Sequence, residues 1–542
     1  MIKTLLTTIL FFAVFISCNS HKNDAAKNEK EKKWSQRDLT ITSSNAYNDL
    51  FFDSMTLVKF LADNKMDDTM KRRMTSFYNT RNYQFAWFST NGLTEQARGF
   101  WNMHNYQTTY GKDSSLKDKS LQHDMDGYME EEDEFAVSAS NINIINTELK
   151  LTQHFIMYAL NNIEEGYVKR KEMERFIPRK KEDPLLLADS LLTKKHKDNK
   201  YYEDINNAYK LLKLQLGKYY KISKQGGWPE ISAPAKQLKK GLSSPVIVLL
   251  KKRLHVTGDM NTDTTAVFND ALEAAVKNFQ QRFGYKPTGV ITDQLICDMN
   301  VPVVERIQQL LLNMGRMQWM INEPQGQMIV VNIPEFILHV KDGTKNVFDM
   351  NVVVGKDGHN TMMFTGNLNQ VVFSPYWNLP ASIVKKEIMP AMKRNRRYLY
   401  SHHMEITGHE GGLPVIRQLP GGDNSLGRVK FLFPNSFNIY FHDTPAKSLF
   451  EKDKRAFSHG CIRLSDPVKM ANYLLKDDAS WDSATIEKAM HYDKEKYVNL
   501  KNPVPVLITY YTAWVDDNGS LHFADDIYGH DKAAIGKMFI KK

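Results

Sequence analysis

Residues 440–464 read YFHDTPAKSLFEKDKRAFSHGCIRL: a strand that closes on His442, a long polar loop, and a Ser458-His459-Gly460-Cys461 turn. A thiol is a useful nucleophile only as thiolate, and a neighbouring imidazole that takes its proton is the simplest route to one. Cys461 follows His442 by nineteen positions, enough chain for the strand end and the turn to meet in space. A glycine-containing turn that feeds a helix, expected over Pro467 to Leu475, can also aim backbone N–H groups at an oxyanion. A lone His and Cys are coincidence more often than catalysis, so the flanking sequence has to carry the reading.

Outward from this segment the apolar residues alternate. Met328 to Ile333, Phe336 to Val340, Phe348 to Gly355, Gln370 to Phe373, Phe431 to Phe433, Phe437 to Phe441 and Val504 to Tyr511 are short, β-branched or aromatic, and bounded by Gly, Pro, Asp or Asn. They predict a β-rich domain. Before Pro324 the period is helical. Gly241 to Leu254, Ala275 to Gly284 and Thr288 to Thr292 form a small helical unit, with Gly284 placed to end its second helix. Residues 36–232 are mostly helical, with apolar spacing near 3.6 in Leu57 to Leu61, Leu149 to Ile163 and Tyr209 to Leu216. The Gly226-Gly227 pair, Pro229 and Pro234 mark a linker between the two regions.

The length of 542 residues predicts three or four domains at roughly 150 residues each. With 42% hydrophobic and 25% charged residues the chain is neither disordered nor fibrous, and a mean hydropathy of -0.47 excludes a polytopic membrane protein. The formal charge of +10 is spread along the chain, which fits an anionic polymer or membrane surface as well as nucleic acid. Leu5 to Ile16, after Lys3, is too short to span a bilayer and reads as the core of a signal peptide. Export is therefore expected, and with it no encounter with nucleic acid.

Phe15-Ile16-Ser17-Cys18 resembles the bacterial lipobox, which implies acylation of Cys18 and a tether over Asn19 to Lys33. Two cysteines remain. Cys297, in an amphipathic stretch, reads as core; a disulfide to Cys461 and a free Cys461 thiol both stay open, the thiol being of more interest. Asp124-Met-Asp126-Gly127 beside Glu130 to Glu134 lacks the spacing of a calcium loop and reads as a solvated acidic turn. His402-His403 with Glu405 lacks metal-ligand spacing, so no metal and no cofactor are expected. Met314 to Met320 with Trp319 reads as packing between domains.

The histidine, the loop and the intact Ser458-His459-Gly460-Cys461 quartet resemble the signature of L,D-transpeptidases, the YkuD-type catalytic domain. Trp377-Asn-Leu-Pro380, Gln418 to Asn435 and His442-Asp-Thr-Pro445 are similar to the large periplasmic branch of that family. There a helical scaffold domain and a peptidoglycan-binding domain precede the catalytic one. Val276-Lys-Asn-Phe279-Gln and Gly289-Val-Ile-Thr292 resemble the binding domain, and Phe77 to Trp87 and Leu149 to Gly166 the scaffold. Thr361-Met-Met-Phe364 departs from the pattern, lacking the proline usual after that threonine. The implied architecture is α+β and multidomain: signal peptide 1–17, lipidated N-terminus and linker 18–35, helical scaffold 36–232, peptidoglycan-binding domain 235–302, catalytic domain 325–512 with a cap at about 377–440, and a C-terminal extension 513–542.

The resemblance also implies roles. Cys461 would be the nucleophile and His442 the general base and acid, oriented by a backbone carbonyl near Asp443. His459, Gly460 and Cys461 would supply the oxyanion site, while Ser458, Arg463, Tyr440 and Trp377 would contact substrate. The implied reaction joins peptidoglycan stem peptides through a cysteine thioester, in a periplasmic protein held to a bacterial membrane by lipid. Carbapenem-type agents would acylate Cys461 below the pH of an ordinary thiol. An L,D-carboxypeptidase or endopeptidase using the same pair, and a non-catalytic wall-anchoring protein, are the alternatives.

Overall fold

The computed structural model describes residues 35–111, 114–130, 135–162, 177–193, 206–319 and 326–540. The expected leader, Cys18, the expected tether over Asn19 to Lys33, residues 131–134 of the acidic run and Met320 lie outside the described residues. The architecture is α+β and multidomain: a helical N-terminal region, a small helical domain and a β-rich C-terminal domain.

The N-terminal region is built on capped helices. Asp53, Asp67 and Thr94 accept hydrogen bonds from the first turns of α1 (Ser54–Asp63), α2 (Asp68–Asn79) and α3 (Glu95–Thr109), satisfying N–H groups that the helix itself leaves unpaired. With α4 (Lys119–Glu130) and α5 (Ile142–Asn162) they enclose an aromatic core of Phe85, Trp87, Phe88, Phe100 and Trp101. Each such side chain stabilises the fold by roughly 1.5–3 kcal/mol over its exposed state. Asp124, Asp126 and Gly127 fall inside α4, where Asp126 accepts from the Gln122 amide at 2.8 Å; the segment is helix and not the expected turn.

In the small domain, α6 (Pro245–Val256), α7 (Asp270–Arg282) and α8 (Asp293–Asn300) pack Ile247, Leu250, Leu254, Val276, Phe279 and Leu295 together. Cys297 corrects the sequence reading. It is exposed, because α8 turns Leu295, Ile296 and Met299 to the core and so carries position 297 outward. Neither Cys297 nor Cys461 is in a disulfide.

Helix α9 (Val303–Met317) joins the parts. Met314 and Met317 are buried in the helical region's core, and Trp319 lies against Phe155. Arg316 on α9 reaches Glu95 of α3 and Asp531 near the C-terminus, both at 2.6 Å. The hairpin Ala513–Val515/Leu521–Phe523 contributes Ala513, Leu521 and Phe523 to the same core.

The β-rich domain contains β1 (Gln327–Asn332), β2 (Ile337–Asp342), β3 (Lys345–Gly355), β4 (Phe364–Phe373), β5 (Val429–Leu432), β6 (Phe441–His442), β7 (Ala456–Ser458), β8 (Ile462–Leu464) and β9 (Lys496–Thr509). Their order is β7-β3-β8-β6-β5-β4-β9-β1-β2, and β2 also pairs with β3, so the sheet closes on itself. Val429, Phe431, Phe441, Ile462 and Leu464 fill its interior. A three-stranded sheet of Trp377–Asn378, Met404–Glu410 and Leu413–Gln418 stands over it with short helices, on a small core of Leu379, Ile383, Val384, Ile388 and Ile416. The chain returns from this cap to the main sheet at β5.

Candidate active site

The expected strand from Phe437 to Phe441 shrinks to β6, two residues long. Asn435 is the reason: its side chain accepts from the Phe437 and Ile439 amides and donates to the Phe433 and Ile439 carbonyls, bending the chain before it can pair. β6 lies antiparallel to β5 and parallel to β8, which sets Lys430, His442 and Arg463 in one lateral row. Phe431, Phe441 and Ile462, one residue along each strand, point into the core, so the row occupies the opposite face.

His442 is only 4% exposed. Its Nδ1–H donates to the Asp443 carbonyl at 2.5 Å, leaving Nε2 as the acceptor nitrogen. Tyr440 lies by both partners: its ring centroid is 5.8 Å from that of His442, and its donors favour the Cys461 thiolate. The thiol also lies 3.7 Å from the Asn438 carbonyl. The structure thus brings Tyr440, His442, Cys461 and Arg463 together.

Electrostatics oppose charge on the resting pair. Burial pushes the Cys461 thiol up, with the Tyr440 donors and the Arg463 charge working against that rise. Burial lowers His442 to about 3, and Arg463 and Lys430 add to it, while the Asp443 carbonyl pulls the other way. Both directions favour the uncharged forms of the thiol and the imidazole.

The turn is held rigidly. Ser458 Oγ accepts from the Gly460 N–H at 3.2 Å and donates to the Cys461 carbonyl at 2.5 Å. Thr361 Oγ1 donates to the Gly460 carbonyl at 2.7 Å and accepts from the Gly355 N–H at 2.9 Å. The Tyr528 hydroxyl accepts from the Thr361 N–H at 3.3 Å and donates to the Gly355 carbonyl at 2.7 Å. Gly460 has φ +107°, a conformation that side-chain-bearing residues rarely adopt. Cys461 leads into strand β8 and not directly into a helix, so no helix N-terminus backs the turn; the helix Pro467–Leu475 comes later.

Asp443 is fixed from its own side. Its carboxylate accepts from the Arg428 and Thr444 amides and from Lys447 Nζ, at 2.9, 2.7 and 2.7 Å. Gly427, at φ +62°, leaves room for it: a Cβ there would lie 2.3 Å from Asp443 Oδ2. His459 is the exposed member of the turn, and its Nε2 sits 3.3 Å from Glu387 in the cap. Trp377 pairs with Gln418 in the cap sheet and packs on the cap's own core. His402 stacks on Tyr398, and Glu405 pairs with Arg417. Sequence reasoning missed the Asp443 carboxylate, Gly427, the Thr361 hydroxyl, Tyr528 and Glu387. Position next to His442 was a signal for the first; the others act across many residues of chain.

Models of known families match three stretches: the YkuD L,D-transpeptidase catalytic domain over residues 326–506, the scaffold domain over 72–216, and the "Putative peptidoglycan binding domain" over 243–296. A Haemophilus influenzae protein named "Putative L,D-transpeptidase" is 31% identical over 241 residues, 42% of this chain and 48% of that protein. The chain thus spans about half the length of the curated relative it matches. Similar solved structures include the L,D-transpeptidase of Xylanimonas cellulosilytica (16% identity, 51% of this chain and 100% of that one, TM-score 0.16) and that of Stackebrandtia nassauensis (14%, 51% and 97%, TM-score 0.20). At these scores the solved structures add nothing to the assignment, which rests on the domain matches. The chain thus carries a scaffold domain and a peptidoglycan-binding domain ahead of a YkuD L,D-transpeptidase catalytic domain.

Proposed function

We propose that this protein is a transferase that cross-links peptidoglycan stem peptides through a thioester on Cys461. His442 Nε2 takes the thiol proton, and the sulfur attacks the carbonyl between the L-centre of a diamino acid and the terminal D-residue of a tetrapeptide stem. Backbone N–H groups at His459, Gly460 and Cys461 hold the oxyanion, Gly460 sharing its N–H with Ser458. As the intermediate collapses, the C–N bond breaks and the imidazolium gives its proton to the departing amine. An amine of a second stem then attacks the thioester, passing a proton through His442 and restoring the thiol. No ATP is consumed.

Arg463, Ser458, Tyr440 and Trp377 are the substrate contacts in this reading, and the cap excludes water so that the amine wins over hydrolysis. Carbapenem-type agents acylate the same sulfur. In this reading the N-terminal apolar stretch exports the protein to the periplasm and Cys18 carries a lipid anchor. The observation that carries the proposal is the His442 imidazole, locked through Nδ1 by the Asp443 carbonyl on the strand that pairs with the one Cys461 leads into.

The test incubates the purified chain with disaccharide tetrapeptide and follows products by mass spectrometry, with Cys461→Ala as control. A dimer short of one terminal D-residue, absent in the control, is expected. Tripeptide alone would make the protein a carboxypeptidase, and the absence of any Cys461-dependent product would refute the enzymatic reading.

A further inference from the structure

Two half-buried cations flank His442 in the lateral row, Lys430 on β5 and Arg463 on β8. Neither forms an ion pair among the described residues. Arg463 Nε is buried with no hydrogen-bond partner. The acid whose charge reaches Lys430 is Glu495, but that carboxylate accepts instead from the Tyr497 hydroxyl at 2.8 Å. Burying a cation without a counter-ion is costly, and a fold retains such a pair where a ligand supplies the missing charge.

We propose that Lys430 and Arg463 form a two-cation receptor for the terminal carboxylate of the acyl donor, and that its occupation switches on the thiol. The inference rests on the acyl-transfer reading above and assigns to it a substrate class and a trigger. Around His442 stand the Tyr440 ring, the two cations, and Asp443, whose carboxylate is tied up by Lys447 and two amides, while Cys461 directly precedes Ile462, the partner of Phe441. Burial does most to keep the imidazole neutral, and the empty receptor adds to it, because an imidazolium would be a third positive charge in the row. A carboxylate seated between the cations cancels that field. The proton then passes from Sγ to Nε2, giving thiolate and imidazolium with no other bond made or broken. The protein thereby keeps an unreactive thiol until a donor ending in a free carboxylate arrives.

The two cations are separable. Arg463 acts on both members of the pair, favouring thiolate and disfavouring imidazolium, whereas Lys430 acts on the imidazole. Lys430→Met, which keeps the apolar stem, gives opposite effects in two assays. In a Cys297→Ser background without donor, alkylation of Cys461 by neutral iodoacetamide at pH 7 rises about tenfold, the effect of one charge on a close neighbour. In a Cys461→Ala background, affinity for a tetrapeptide with a free C-terminal carboxylate falls about tenfold, while affinity for its C-terminal amide is unchanged.

Lys430→Arg restores both values, and Lys430→Gln repeats the Met result should the Met variant not fold. Equal loss for carboxylate and amide ligands, or alkylation that stays level or falls, overturns the receptor. Because neither assay needs turnover, failure of the wild type to cross-link stems refutes the acyl-transfer reading while these two measurements still decide the receptor.

Discussion

Thr361→Val is close to isosteric and removes one hydroxyl from a site that is 2% exposed. Two groups lose their partner: the Gly355 N–H, which donates to Oγ1 at 2.9 Å, and the Gly460 carbonyl, which accepts from it at 2.7 Å. A buried polar group left unsatisfied costs about 1–3 kcal/mol. Gly355 has little room to adjust, since its Cα faces the His359 carbonyl so closely that a Cβ would lie 2.0 Å from it. Gly460 is less crowded, the nearest atom to a Cβ there being the Asn360 carbonyl oxygen at 3.8 Å, so its carbonyl can turn away once the hydroxyl is gone. We therefore expect one full penalty and part of a second, about 3 kcal/mol, or roughly 6–12 °C in the unfolding midpoint of a domain this size. Cross-link formation should fall further than stability, because turning the Gly460 carbonyl rotates the peptide that bears the Cys461 amide. Thermal unfolding and cross-linking at 25 °C, measured beside Thr361→Ser, separate the two effects. Thr361→Ser, which keeps the hydroxyl, should lose under about 1.5 kcal/mol. Equal behaviour of the Val and Ser variants would refute the role of the hydroxyl and leave only the methyl's packing.

Further outcomes follow from the same contacts. In the resting protein the raised Cys461 thiol and the lowered His442 mean that alkylation without donor should climb only above the ordinary thiol range; a plateau already reached at pH 6 would contradict it. Gly427→Ala places a methyl on the Asp443 carboxylate and adds about 1–2 kcal/mol of left-handed strain, so cross-linking should fall while alkylation of the exposed Cys297 does not change. Arg316→Ala leaves Glu95 and Asp531 without their cation and should cost about 3–5 kcal/mol, read as a lower urea midpoint of the full chain. His339 is raised to about 9, burial opposing the rise and Asp349 and Glu335 producing it. Its contribution is fully present below about pH 6.5 and is lost as pH climbs through 9. His339→Gln should flatten the fall in unfolding midpoint over that window, and an unchanged slope would remove His339 as its source.

The candidate pair was legible because it is local: a strand, a loop and a four-residue turn lie within one short stretch. The change from helical to alternating period near Pro324 likewise announced the sheet before any contact was known. What escaped was long-range or one-sided. Tyr528 reaches Thr361 and Gly355 across more than 160 residues, a relation that no periodicity carries. Glu387 meets His459 only because the cap folds back over the turn. Cys297 was misplaced because an amphipathic pattern assigns faces to within about one residue, and 100° per residue turns that error from core to solvent. The resting charge state was illegible for a different reason. Sequence shows a His near a Cys, but burial and the two flanking cations are products of strand register.

Register also explains why so little regular structure holds so much chemistry. β6 has two residues, too few to be stable alone, yet it pairs on both sides. Its place depends on Phe441 in the interior beside Phe431 and Ile462, and a slip of one residue would bury His442 in the core and turn Phe441 to the site. Core packing and the alignment of the candidate site are therefore one constraint: the side chains that hold the barrel together are the alternate residues of the strands that carry Lys430, His442 and Arg463. Arg316 extends the constraint to the rest of the chain, since its three partners, Glu95, the Tyr510 carbonyl and Asp531, come from the scaffold, from just past β9 and from the C-terminal segment. A buried ion cluster of this kind adds little net stability, but wrong dockings leave its charges unpaired and are disfavoured. The scaffold is thus held in one relation to the catalytic sheet, with α3 on the sheet through the Asn102 side chain, which donates to the Met363 carbonyl two residues beyond Thr361.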